Sequence, residues 1–193
     1  MNKMNKMHKT KRSRLINGTL ICIMATAALA SGTANAATQG TLGATSTGTV
    51  GISASVPNRA RITGLTDVAS LTQDPNTAVS VAQNVCVWSN TATKGYTITA
   101  SGSGTASAFT LANGTLTVPY SVQWSATSGA TTGSGLTTGT ASAGLVSTAT
   151  QQTCTSGPTS SASLIVNMST TDLGTMQAAT TYTGTLTLLV TPQ

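Results

Sequence analysis

Leu116-Thr117-Val118-Pro119-Tyr120-Ser121-Val122-Gln123-Trp124 puts an apolar side chain at every even position and a polar one at every odd position except Pro119. A period of two belongs to a β-strand with one buried and one wet face. Pro119 has no N–H to give to a ladder, so the strand is expected to be an edge or to carry a bulge there. Working outward, Val79 to Trp88 predicts a longer strand that carries Cys86. Tyr96, Ile98 and Ala100 alternate with Thr97 and Thr99, and Ala162, Leu164, Val166 and Met168 form another alternating set. Between the runs lie glycine-rich turns: Ser101 to Gly104, Ala112 to Gly114 and Ser128 to Gly135, with Asn113-Gly114 read as a hairpin turn. No stretch keeps a helical period of 3.6 with capping signals. Many short strands joined by such turns predict an all-β fold, a single β-sandwich rather than a helical or α/β domain.

The N-terminus carries a different pattern. A basic segment (Lys3, Lys6, Lys9, Lys11, Arg12, Arg14) precedes a mostly apolar run from Leu15 to Ala30, and Ala34-Asn35-Ala36 follows. That order of charge, apolar run and small residues is the one export machinery reads, so residues 1–36 are expected to be a signal peptide and Ala37 the mature N-terminus. The run contains Asn17 and Gly18 and falls short of the roughly 20 apolar residues of a membrane span.

Removing residues 1–36 changes the chemistry of the chain. The remaining cations Arg59, Arg61 and Lys94 are balanced by Asp67, Asp74 and Asp172, and His8 leaves with the signal. Three scattered cations make no footprint for a polyanion, which excludes nucleic-acid binding. The chain has no glutamate. Without histidine or glutamate, a Ser-His-Asp or Cys-His triad lacks its base, and a zinc site lacks its commonest nitrogen ligand. A glycosidase would have to find its carboxylates among three aspartates. No catalytic residue, metal site or cofactor is therefore expected, and the chain is not expected to be an enzyme. Cys86 and Cys154 are the two cysteines left, an even count that in an exported chain predicts a disulfide between them.

Six aromatic residues remain, Trp88, Tyr96, Phe109, Tyr120, Trp124 and Tyr182, and several fall on the apolar phase of a strand. They are expected to pack a core rather than to form a stacking platform for sugars. Asn113-Gly114-Thr115 and Asn167-Met168-Ser169 match the glycosylation sequon, which carries little weight in a bacterial export context.

The two ends of the mature chain alternate as well. Val50, Ile52, Ala54 and Val56 share one phase until Pro57 ends the run, and no turn links this segment to an earlier partner. Tyr182, Leu186, Leu188 and Val190 share another, close to the end at Gln193. The alternation predicts residues 48–56 to be extended and residues 182–191 to be a strand. A domain that ends on a strong strand and begins with a flexible apolar extension can lend that extension to the open sheet edge of a neighbour.

Three of these stretches resemble the pilins of the bacterial chaperone-usher pathway, above all the alternate class of colonisation-factor subunits. Thr49 to Pro57 looks like their donor strand, Thr117 to Trp124 their central strand, and Thr181 to Val190 their C-terminal strand. The spore-coat-U-like archaic class is a second match, with a similar terminal Tyr-Thr strand and a disulfide. Residues 37–48 and the cysteine pair depart from the alternate-class pattern, so both classes stay open.

The resemblance implies an immunoglobulin-like β-sandwich of residues 58–193, incomplete until a donor strand fills it, preceded by an extension and donor strand in residues 37–57. It makes Val50, Ile52, Ala54 and Val56 the donor side chains, and Leu186, Leu188 and Val190 part of the groove wall. The implied partners are identical or related pilin subunits, a periplasmic chaperone and an outer-membrane usher. The implied location is the periplasm in transit and then a surface fimbrium. The expected function is structural, in adhesion or biofilm formation. The alternative is a secreted free-standing adhesin or carbohydrate-binding β-sandwich module, which exposed aromatic residues on one sheet face would favour.

Overall fold

The computed structural model describes residues 36–68 and 74–193, so the expected signal peptide lies outside the described residues apart from Ala36. The chain divides after Ala54. In residues 36–54 the backbone of Thr38 and Thr49 exchanges two N–H···O=C hydrogen bonds of 3.0 Å, and their hydroxyls also meet. All the side chains of this part are exposed.

Among the described residues the domain that follows has ten strands: β1 (Ala60–Thr63), β2 (Val79–Ser89), β3 (Gly95–Gly102), β4 (Thr110–Asn113), β5 (Leu116–Pro119), β6 (Ser121–Ser125), β7 (Ser134–Gly135), β8 (Leu145–Val146), β9 (Ala162–Met168) and β10 (Leu186–Pro192). One sheet has the order β1-β2-β9-β6-β7, the second β10-β3-β8, and β4 pairs with β5 as a hairpin, all antiparallel. The alternation predicted from sequence sets the inner face of each sheet. Val79, Val85, Val87, Ala162, Leu164, Val122 and Trp124 from the first sheet meet Tyr96 and Ile98 from the second in one buried core. The expected all-β sandwich is what forms.

Its strand order carries more information than its class. β1-β2-β9-β6 reproduces the A-B-E-D sheet of an immunoglobulin constant-type sandwich, and β3 with β10 reproduces the C-F pair of the opposite sheet. The seventh strand of that fold pairs with the free edge of F. Among the described residues no strand takes that position beside β10.

Two runs that read as single strands are each divided where the chain changes partner. The run 116–124 splits at Tyr120: β5 pairs with β4, while β6 pairs with β9. Pro119 sits at the division, where a missing N–H is tolerated. The burial phase continues across it, through Val118, Tyr120, Val122 and Trp124. The C-terminal run, expected as a strand over 182–191, pairs with β3 only from Leu186 onward. Ahead of it Thr183 bridges Ala112 of β4, and Gly184 lies so close to that strand that a Cβ there would stand 2.9 Å from the Thr110 carbonyl oxygen. The hairpin between β4 and β5 is shifted by one residue from the expected Asn113-Gly114 turn. Asn113 is paired with Leu116, and the two-residue loop is Gly114-Thr115, with Gly114 at φ 59°. Positive φ at the first loop position suits glycine. Asn113 instead donates through Nδ2 to the Thr181 carbonyl, 2.7 Å away.

A four-residue helix, α1 (Thr170–Leu173), was not expected. Ser169 caps it by accepting from the Asp172 N–H, and Leu173 is buried below. The Ser-x-x-Asp spacing carried the signal, in a segment too short for periodicity to detect.

Small hydroxyls complete the ladders where strands end. β2 outlasts its partner β9 at Val85, and the buried Ser161 then uses its Oγ to accept from the Val87 N–H (2.8 Å) and donate to the Val87 carbonyl (2.9 Å). On the outer face of β2, Cys86 is bonded to Cys154, and the pair packs with Ala149 and the half-buried Trp88. The disulfide thus straps the 147–160 loop across the sheet. Between the sheets, Trp124 Nε1 donates to Tyr96 Oη at 3.2 Å. Every described buried side-chain polar atom has a hydrogen-bond partner.

Two expectations follow for stability. Cys154→Ala should lower the free energy of unfolding by about 2–4 kcal/mol, since the bridge closes a loop between residues 68 apart; equilibrium urea unfolding measures this. Burial pushes the Tyr96 hydroxyl above its ordinary value of 10.0, with the Trp124 hydrogen bond acting in the opposite direction. The folded state therefore favours the neutral phenol. Its contribution is complete below pH 10 and declines as pH rises from there through the folded-state value. Tyr96→Phe should cost about 1–3 kcal/mol at neutral pH, because the Trp124 N–H loses its partner, and should flatten part of the alkaline decline seen in thermal melts.

Candidate functional site

The free edges of two sheets lie side by side in this domain. β1 is the outermost strand of the five-stranded sheet and β10 that of the three-stranded sheet. Their Cα atoms approach within 8 Å, yet among the described residues no backbone hydrogen bond joins them. Among the described residues each therefore has N–H and C=O groups on one side that no strand pairs with.

The side chains beside this gap are those of an unfinished core. On β10, Leu186, Leu188 and Val190 point inward and pack against the core cluster, but each is only half-buried. Their neighbours across the ladder on β3, Ile98 and Ala100, are completely buried. On β1, Ile62 is the corresponding half-buried side chain. β1 is also short: it pairs with β2 only from Cys86 to Ser89, so among the described residues no strand pairs with β2 between Val79 and Val85 on that side. There the Gln83 amide takes the place of a ladder partner, accepting from the Thr66 N–H (2.9 Å) and donating to the Thr66 carbonyl (3.2 Å). Val81, in the same inward row, is half-buried.

Leu186, Leu188 and Val190 thus stand together on the inward face of β10, the strand expected from the alternation. Ile62 was missed, because a four-residue strand with one large apolar side chain gives no readable alternation. Val50, Ile52, Ala54 and Val56 are all exposed, with Ile52 at 93%, and none belongs to a ladder or a helix. The alternation there predicts an extended segment, and none of its residues is assigned to a strand among the described residues. Cys86 and Cys154 lie on the outer face of β2, away from the core cluster.

The aromatic residues are used in packing. Tyr96, Tyr120, Trp124 and Tyr182 are buried, and Trp88 and Phe109 are half-buried, with the Phe109 and Tyr120 rings 5.7 Å apart. No aromatic side chain among the described residues forms an exposed platform. What the gap offers is two rows of backbone hydrogen-bonding groups and an apolar floor, which is the chemistry that receives a strand rather than a small polar ligand.

No protein-family model matches the chain, and no curated protein matches it.

The two faces of β10 should respond differently to substitution. Leu188→Asp should destabilise the domain by about 1–3 kcal/mol, because it places a carboxylate against the core, whereas Leu189, 59% exposed, should accept aspartate within about 0.5 kcal/mol. Urea midpoints of the two variants measure the contrast.

Proposed function

We propose that this chain is the structural subunit of a surface fibre of the chaperone-usher type, polymerised by donor-strand exchange and serving adhesion or biofilm formation. One observation carries the reading: the sandwich has the A-B-E-D and C-F strands, and no described strand in the seventh position. The chain also possesses a segment suited to fill that position in another copy. Val50, Ile52, Ala54 and Val56 present one apolar face over seven residues, and β10 offers a seven-residue edge.

In this reading an incoming strand hydrogen-bonds to β10 and sets its apolar side chains over Leu186, Leu188, Val190 and Ile62. Each larger side chain contributes roughly 1–3 kcal/mol when fully buried. β1 and β10 approach to less than twice the ladder spacing of about 4.8 Å, so a strand bonded to both must part them at their nearest point. Partners of the free subunit are then a periplasmic chaperone, which shields the same edge, and an outer-membrane usher. The burial of the aromatic residues supports this reading over a sugar-binding module.

Ile52→Asp combined with Val56→Asp should abolish polymerisation while leaving export of the monomer intact, because both carboxylates would be buried unpaired in the neighbour. A second form, with residues 46–56 deleted and a copy tethered after Gln193, should be monomeric and melt at higher temperature than the untethered deletion. Normal fibres from the double aspartate variant, or no gain from the tether, would refute the reading.

A further inference from the structure

Donor-strand exchange leaves a physical question open: a donor segment three residues ahead of β1 is close enough to fold back on its own domain. Residues 57–59 separate Val56 from Ala60, and Pro57-Asn58 is a pair that readily begins a turn. A reversal there would lay residues 50–56 antiparallel along the free edge of β1, beside β10, and fill the gap from within.

The structure places a side chain against that reversal. β1 and β2 pair as far as Ala60 and Ser89, and the Asn90 N–H then donates to the Arg59 carbonyl at 3.1 Å. Beyond this point β2 has no more backbone to offer, since residues 91–94 turn toward β3, with the Lys94 N–H donating to the Thr91 carbonyl. The Asn90 side-chain amide takes over. Its Oδ1 accepts from the Arg59 N–H at 2.6 Å, and its Nδ2 donates to the Pro57 carbonyl at 2.9 Å. An amide side chain carries the same donor and acceptor as a peptide group, so Asn90 prolongs the β1 ladder by one further step. Pro57, Asn58 and Arg59 are thereby held in line with β1, in the place where a self-complementing turn would have to form.

We infer that Asn90 is a positioning residue that denies the chain its own donor strand and so directs it to a second copy. The inference rests on the fibre reading above. Two hydrogen bonds of ordinary net strength sustain a bias of about 30-fold between the in-line and reversed arrangements. Serine or alanine at this position could supply neither bond at this reach, and aspartate could supply only the one from Arg59.

The test uses the full chain. In Asn90→Ala the ratio of monomer to polymer at equilibrium should rise about 30-fold, and amides 50–56 of the monomer should become protected from hydrogen exchange. Asn90→Asp, which keeps the acceptor and loses the donor, should give an intermediate ratio. Deleting residues 46–56 from Asn90→Ala should remove the gain in protected, heat-resistant monomer. If Asn90→Ala polymerises like the parent chain with amides 50–56 still exchanging freely, the inference is overturned. It is equally overturned if Asn90→Ala lowers the melting temperature by the same amount with and without residues 46–56, since the role would then be structural only. If the parent chain itself neither polymerises nor takes up a synthetic 46–57 peptide, the fibre reading fails first and the positioning role falls with it.

Discussion

The organisation of this domain turns on the outer edge of β10, beside which no strand pairs among the described residues. A β-sandwich is stable when each sheet buries one face and each interior strand is paired on both sides, and here, among the described residues, no strand follows β10 at the edge of the C-F sheet. The deficit is both polar and apolar. Among the described residues no strand pairs with the outer backbone row of β10, and its inward side chains stay half-buried while Ile98 and Ala100 of β3 are sealed. An edge of this kind invites any extended chain, and proteins that keep one must control what fills it.

The rest of the domain compensates for a core of modest side chains. Threonine and serine do work that bulkier residues do elsewhere, as when Ser161 and Ser147 serve the backbone of Val87 beyond the end of β9. The Cys86–Cys154 bond holds a loop over the outer face of β2, where the inward row alone would leave the strand thinly covered. Trp124 and Tyr96 tie the sheets together through a buried polar contact that is fully satisfied, which specifies how the two layers align as well as adding to their cohesion. These features hold the two layers together with no described strand in the seventh position.

Much of this was legible in the sequence, because strand periodicity is local. The apolar phases of 79–87, 96–100, 118–124 and 162–168 map onto the core side, while Leu116, which shares the phase of its run, is exposed beside the hairpin turn; the cysteine pair follows from counting. What was not legible depends on partners distant in the chain. Pro119 announced an irregularity, but only the ladders show that β5 and β6 belong to different sheets. The strand expected from Tyr182 begins at Leu186 because Gly184 carries the chain from one partner to another. Ile62 lies on a strand too short to alternate visibly, and α1 is too short to show a helical period. The open edge itself is a property of strand order, which no single segment encodes.

The fibre proposed above requires the outer edge of β10 to be empty in the monomer and occupied on assembly. Site-resolved amide hydrogen exchange of the full chain in both states measures this directly. The N–H groups of Leu186 to Thr191 that point away from β3 should exchange rapidly in the monomer and become protected in the fibre, together with amides 50–56. Protection of those β10 amides already in the monomer, or free exchange of residues 50–56 in the fibre, would contradict it.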